Sequence, residues 1–115
     1  MKYLLMVYFD GAQERMAQLS ADEQADITQE FVAFFQSSQI RDGNQLQPPA
    51  TATTVRDIDG EPVRTPGPFP GASGEPLGGY YLVEADDLDA AAAIAARIPA
   101  VRMGAAIEVR PVIPR

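Results

Sequence analysis

Residues 3–9, Tyr-Leu-Leu-Met-Val-Tyr-Phe, are apolar without interruption and rich in strand formers. A short run of this kind predicts a central strand covered on both faces. Asp10-Gly11 ends it, and Glu14–Leu19 can form a short helical turn. Ser20 and Glu23 then stand at capping-box spacing. Behind them Ile27, Phe31, Phe34 and Phe35 recur at i, i+4, i+7 and i+8, one stripe of a helix. Its polar side carries Gln24, Asp26, Gln29, Glu30 and Gln36, and Asp42-Gly43 is the expected stop.

The pattern weakens after residue 44. Ala52–Arg56 alternates as a strand, Asp59-Gly60 signals a tight turn, and Val63–Thr65 reads as the returning strand. Pro66–Pro76 holds four prolines and three glycines in eleven residues, which suits neither a helix nor a central strand. A loop of this kind is either ordered or a lid, and Gly67–Gly74 with Phe69 as a plug would suit closure over a small molecule. Phe69 serves equally as a plain apolar anchor for that loop. Gly79–Ala85 is a second strong strand. Asp86 or Asp87 caps the helix after it, with Leu88, Ala91, Ala92, Ala95 and Ile98 expected inward, and Pro99 and Gly104 bracket its exit. Ala105–Val112 closes the chain as a last strand.

The expected order is strand, helix, strand pair, strand, helix, strand. It reads as one α+β domain over residues 1–115: a ferredoxin-like sandwich, an antiparallel sheet with its two main helices on one face. Period-2 alternation sorts the faces. Tyr3, Leu5, Val7 and Phe9 share one side of the first strand, and Leu4, Met6, Tyr8 and Asp10 the other. Helices on one face leave the second face to Leu4, Met6, Tyr8 and Leu82, with Glu84, Glu108 and Arg110. An apolar patch of several hundred Å² calls for a cover, and a second copy of the sheet supplies one, so a homodimer is expected.

Composition narrows the chemistry. There is no cysteine, histidine or tryptophan, and lysine occurs once, as Lys2. Thiol nucleophiles, thiolate metal sites and His-based triads are therefore excluded. What remains is carboxylates, Arg, Tyr, hydroxyls and backbone amides, with no metal or cofactor expected. A net charge of −7 argues against nucleic acid and anionic membranes as partners. No apolar run approaches the roughly 20 residues of a membrane-spanning helix. The opening stretch lacks a small-residue cleavage site, so a cytoplasmic protein is expected.

Several blocks, in order, resemble a known family. They are Gln47-Pro48-Pro49-Ala50-Thr51-Ala52-Thr53-Thr54-Val55-Arg56, Gly67-Pro68-Phe69, Leu77-Gly78-Gly79-Tyr80-Tyr81-Leu82-Val83-Glu84-Ala85-Asp86-Asp87-Leu88-Asp89, Ala95-Ala96-Arg97-Ile98-Pro99 and Glu108-Val109-Arg110-Pro111. Together they are similar to the DGPF-domain, or YCII-related, family. The resemblance implies a dimeric α+β barrel of ferredoxin-like subunits with a cavity near the sheet and the Pro/Gly loop. It also implies a regulatory context beside extracytoplasmic-function sigma factors, and a His/Asp centre in the wider group. This chain departs from that centre: Pro66 stands where the family has the aspartate of Asp-Gly-Pro-Phe, and histidine is absent. The His/Asp mechanism does not carry over.

Eight residues are candidates for ligand contact: Tyr8, Asp10, Arg56, Phe69, Tyr80, Glu84, Glu108 and Arg110. Arg56, Glu84, Glu108 and Arg110 would form one polar pocket, where Arg grips a small anionic ligand bidentately and a carboxylate acts as base. The plainer reading of Glu108 and Arg110 is a pair across the dimer seam. Tyr8, Tyr80 and the adjacent Tyr81 offer hydroxyls to a ligand, or pack with wet tips. Asp10 either meets a ligand or caps the turn after the first strand. Asp57–Glu61 has too few later ligands for a calcium loop, and Gly71-Ala72-Ser73-Gly74 lacks the spacing of a nucleophile elbow. The preferred expectation is a dimeric small-molecule-binding or regulatory module. The alternatives are a cofactor-independent Glu/Arg/Tyr acid–base enzyme acting on a carboxylate-bearing substrate, and a protein partner in a sigma-factor context.

Overall fold

A computed structural model describes residues 1–70 and 74–115. The strands are β1 (Lys2–Tyr8), β2 (Ile40–Gln45), β3 (Thr53–Ile58), β4 (Glu61–Pro66), β5 (Gly79–Glu84) and β6 (Ala106–Pro111). The helices are α1 (Ala12–Ala17), α2 (Ala21–Phe35) and α3 (Leu88–Ala96), with 3₁₀ turns at Pro49–Thr51 and Pro99–Met103. Four strands form one antiparallel sheet in the order β2-β5-β1-β6. β5 thus lies between β1 and β2, and β1 between β5 and β6. Two split βαβ units interleave, which is the ferredoxin-like α+β arrangement.

β1 is apolar on both faces because it is interior to the sheet. Tyr3, Leu5 and Val7 are buried against the helices with Val83, Phe34, Ala91, Ile94, Ala95 and Ile98. Leu5 and Val83 are wholly inaccessible, each stabilising the fold by about 1.5–3 kcal/mol. The small Ala91 and Ala95 let α3 approach the sheet closely. Asp87, rather than Asp86, caps α3, its carboxylate accepting from the Ala90 N–H at 2.8 Å. The inward stripe of this segment is Ala91, Ile94, Ala95 and Ile98, while Leu88 and Ala92 face water. Ser20 and Glu23 form the expected capping box.

Two expectations about the middle of the chain change. α2 ends at Phe35, and Asp42-Gly43 lies inside β2 instead of stopping a helix. Ile-Arg-Asp-Gly-Asn-Gln is poor strand material by propensity. It is an edge strand recruited by the strongly strand-forming β5, with an irregularity between Ile40 and Asp42. The predicted strand pair at 52–65 exists but is not part of the main sheet. β3 and β4 pair only with each other, as a hairpin inserted after β2. Asp59 (φ 54°) and Gly60 (φ 86°) make its turn, both residues in the left-handed region that such hairpins need. Gly71, Ala72 and Ser73, the centre of the expected lid, lie outside the described residues. Among the described residues no helix is long and apolar enough to cross a membrane.

Candidate functional site

The helix face of the main sheet is not filled completely. A cavity of about 490 Å³ lies between α1, α2 and the ends of β1, β2 and β5. Two glycines shape its floor. Gly43 of β2 pairs with Tyr81 of β5, and the Tyr81 ring crosses the space that a side chain at 43 would take. Gly78 gives way in the same manner to the ring of Phe9. Phe34 meets Tyr81 edge-on, with ring centroids 5.0 Å apart, and Phe35 tilts toward it at 6.4 Å. Burial pushes the Tyr81 hydroxyl above the ordinary tyrosine pKa.

Phe9, Phe31 and Phe35 supply aromatic walls, and Val7, Met16 and Ile98 aliphatic ones. The polar lining residues are neutral: Gln13, Thr28, Gln36, Asn44, Gln45 and the tyrosines 80 and 81. Three of them already have partners. Thr28 donates its hydroxyl proton to the Gln24 carbonyl at 2.9 Å, and Asn44 Nδ2 donates to the Tyr80 hydroxyl at 3.0 Å. The lining holds no carboxylate, ammonium or guanidinium among the described residues. On the α2 rim Val32 and Phe35 stay about half exposed, at 52% and 48%.

A second recess of about 210 Å³ shares Phe9, Gln13 and Gln45 with the first. It runs beneath residues 46–49 and 75–78, with Glu14 and Glu75 at its wall. Asp10 sits beside it in the left-handed conformation (φ 47°), and its N–H donates to Glu75 Oε1 at 3.2 Å. Arg15 pins this turn by donating to the Asp10 and Met103 carbonyls at 3.1 and 2.7 Å.

The residues singled out in the sequence fall into three places. Tyr8, Tyr80, Glu84, Glu108 and Arg110 lie on the open face of the main sheet, where strand pairing aligns them with Leu4, Met6 and Leu82. There Arg110 Nε pairs with Glu108 Oε2 at 3.2 Å within one chain. The Met1 ammonium donates to Glu84 Oε1 at 2.7 Å and holds that carboxyl below the usual range. Arg56 and Phe69 belong to the hairpin and its exit, with the guanidinium 5.4 Å from the ring centroid. Asp10 stands at the end of β1. Tyr80 borders the large cavity as well, and so does Tyr81, which the sequence offered beside it. The sequence pattern reads Gly43 only as a helix stop and gives no sign of Gln13 or Thr28. It placed Phe31 and Phe35 on a core stripe, and the alternation that put Tyr81 beside Val83 was the one available signal for the cavity floor. Among the described residues no group of three or more acidic side chains is placed to hold a metal ion.

Comparison with curated proteins finds no match. A family model, the YCII-related domain, matches residues 1–115. With its ferredoxin-like sheet and the blocks running from Gln47 to Pro111, the chain belongs to the YCII-related domain family.

Proposed function

We propose that this YCII-related chain is a small-molecule-binding module that works as a homodimer and does not turn its ligand over. One observation carries the reading: a cavity of about 490 Å³ whose lining has no ionised side chain among the described residues. Its volume falls in the range of roughly 300–1,000 Å³ typical of ligand pockets. Proton transfer at neutral pH needs a group that titrates near neutrality. Among the described residues the lining's titratable side chains are tyrosines, and burial moves Tyr81 further away. Such a wall binds and orients, but it makes a poor acid–base pair.

The dimer rests on the opposite face. Leu4, Tyr8, Tyr80 and Leu82 are half-buried there and Met6 is nearly covered, with no helix above them. A second sheet packed at about 10 Å would bury this face in the manner of other sheet pairs. Native mass spectrometry of freshly purified protein tests both parts. A dimer that carries a defined small mass, released unchanged on denaturation, is the expected result. A stable monomer would overturn the dimer. A released mass that is chemically altered after incubation would overturn binding without turnover.

A further inference from the structure

Resting on that binding reading, we infer that the cavity takes an uncharged, flat, largely apolar ring compound bearing a hydrogen-bond acceptor. Three features of the lining converge on this class. The first is charge. Among the described residues the lining offers no cation to a carboxylate or phosphate and no carboxylate to an amine. Arg56 and Arg110, the arginines that the sequence offered to an anion, stand on the hairpin and on the open sheet face. An ionised group entering an apolar cavity without a counter-charge loses its hydration and gains nothing equivalent. The chain's net charge of −7 adds to the penalty for an anion.

The second feature is shape. Phe9, Phe31, Phe35 and Tyr81 all border the cavity, and aromatic walls favour a planar guest through stacked and edge-on contacts. The third is the Tyr81 hydroxyl. It makes no hydrogen bond among the described residues, although the residue is half-buried and its proton is held tightly. A partly desolvated O–H donor with no protein acceptor can exchange water for an acceptor that a ligand supplies. Gln13 and Gln36 bring neutral side-chain amides to the same lining.

Calorimetry with three probes of nearly one shape separates these features. They are 1-acetylnaphthalene (neutral, with an acceptor), 1-ethylnaphthalene (neutral, without one) and 1-naphthoate (anionic). The ketone should bind, the hydrocarbon several-fold more weakly, and the anion at least about tenfold more weakly than the ketone. Tyr81→Phe should remove the difference between ketone and hydrocarbon while both still bind. Val32→Trp, at a half-exposed rim position that leaves the core alone, should block all three. If 1-naphthoate binds as tightly as the ketone and Val32→Trp abolishes it, the ligand class is wrong while the seat stands. If no probe binds, or binding survives Val32→Trp, the cavity is not the ligand seat and the binding reading falls as well.

Discussion

Tyr81 lies across Gly43 so closely that a β-carbon added at Gly43 would stand 2.5 Å from the ring's Cδ1. The same added atom would stand 3.0 Å from the Tyr80 carbonyl, so neither ring nor backbone leaves room. The glycine therefore determines where the ring rests, and the ring determines the floor of the cavity. Gly43→Ala should push Tyr81 toward α2 and lower stability by roughly 1–3 kcal/mol, as overpacking does. The check is a urea transition moving to lower denaturant, together with a changed near-ultraviolet tyrosine signal. An unchanged midpoint and spectrum would mean that the ring has other places to go.

Tyr81 should ionise late. Burial raises the Tyr81 pKa, so the folded state keeps this proton after the unfolded chain has lost it. By linkage the contribution to stability is complete below the ordinary tyrosine pKa of about 10 and declines as pH rises above it toward the higher folded value. Absorbance at alkaline pH should show a late-ionising step, and Tyr81→Phe should remove it. If the late step remains in that variant, the late proton is not the one on Tyr81.

The capping box of α2 is a local device with a local readout. Ser20→Ala removes the hydroxyl that accepts from the Glu23 N–H at 3.1 Å and should lower stability by about 1 kcal/mol. The Ser20 backbone N–H, donating to Glu23 Oε1, holds the Glu23 carboxyl below its usual range. That support is present above the ordinary glutamate range and is lost as pH falls through the lowered value. Removing that carboxyl with Glu23→Ala should accordingly cost more stability at neutral pH than in strong acid, as followed by thermal unfolding at the two conditions.

The β3–β4 hairpin contributes no residue to the buried core. Val55, Ile58 and Phe69 remain exposed on or beside it, and a lone two-stranded hairpin is marginal in water. Gly60→Val puts a β-branched residue at φ 86° and should unravel the turn, at about 1–3 kcal/mol of local strain. Amide exchange in β3 and β4 should rise sharply while protection in β1 and β5 persists. Equal loss of protection in all four strands would show that the hairpin and the main sheet unfold together.

The expectations that held and those that changed have different physical origins. The β1 run, the Ser20/Glu23 cap, the Asp59-Gly60 turn and the α3 start are local: a few neighbouring residues decide each one. β2 was not legible, because Ile40–Gln45 has neither period nor propensity and becomes a strand only through its ladder with β5. The preceding helix was extended too far for the same reason. Asp42-Gly43 looks like a helix stop, but Gly43 is there to admit the Tyr81 ring. For the candidate site, the polar and charged residues are the conspicuous ones in the chain, yet strand register spreads them over the open face, the hairpin and a turn.

By itself the amino-acid sequence determined the α+β class, which face of each strong strand is apolar, the caps and turns, and the absence of thiol and imidazole chemistry. These come from short-range periodicity and from composition, which need no knowledge of what packs where. Only the tertiary structure decided the order β2-β5-β1-β6, the separateness of the hairpin, and the cavity between α2 and the sheet. Those depend on contacts between residues far apart in the chain, such as Gly43 with Tyr81 and Phe9 with Gly78. A side chain that is missing at one position leaves room for a ring from another, and no local pattern in the chain records that vacancy.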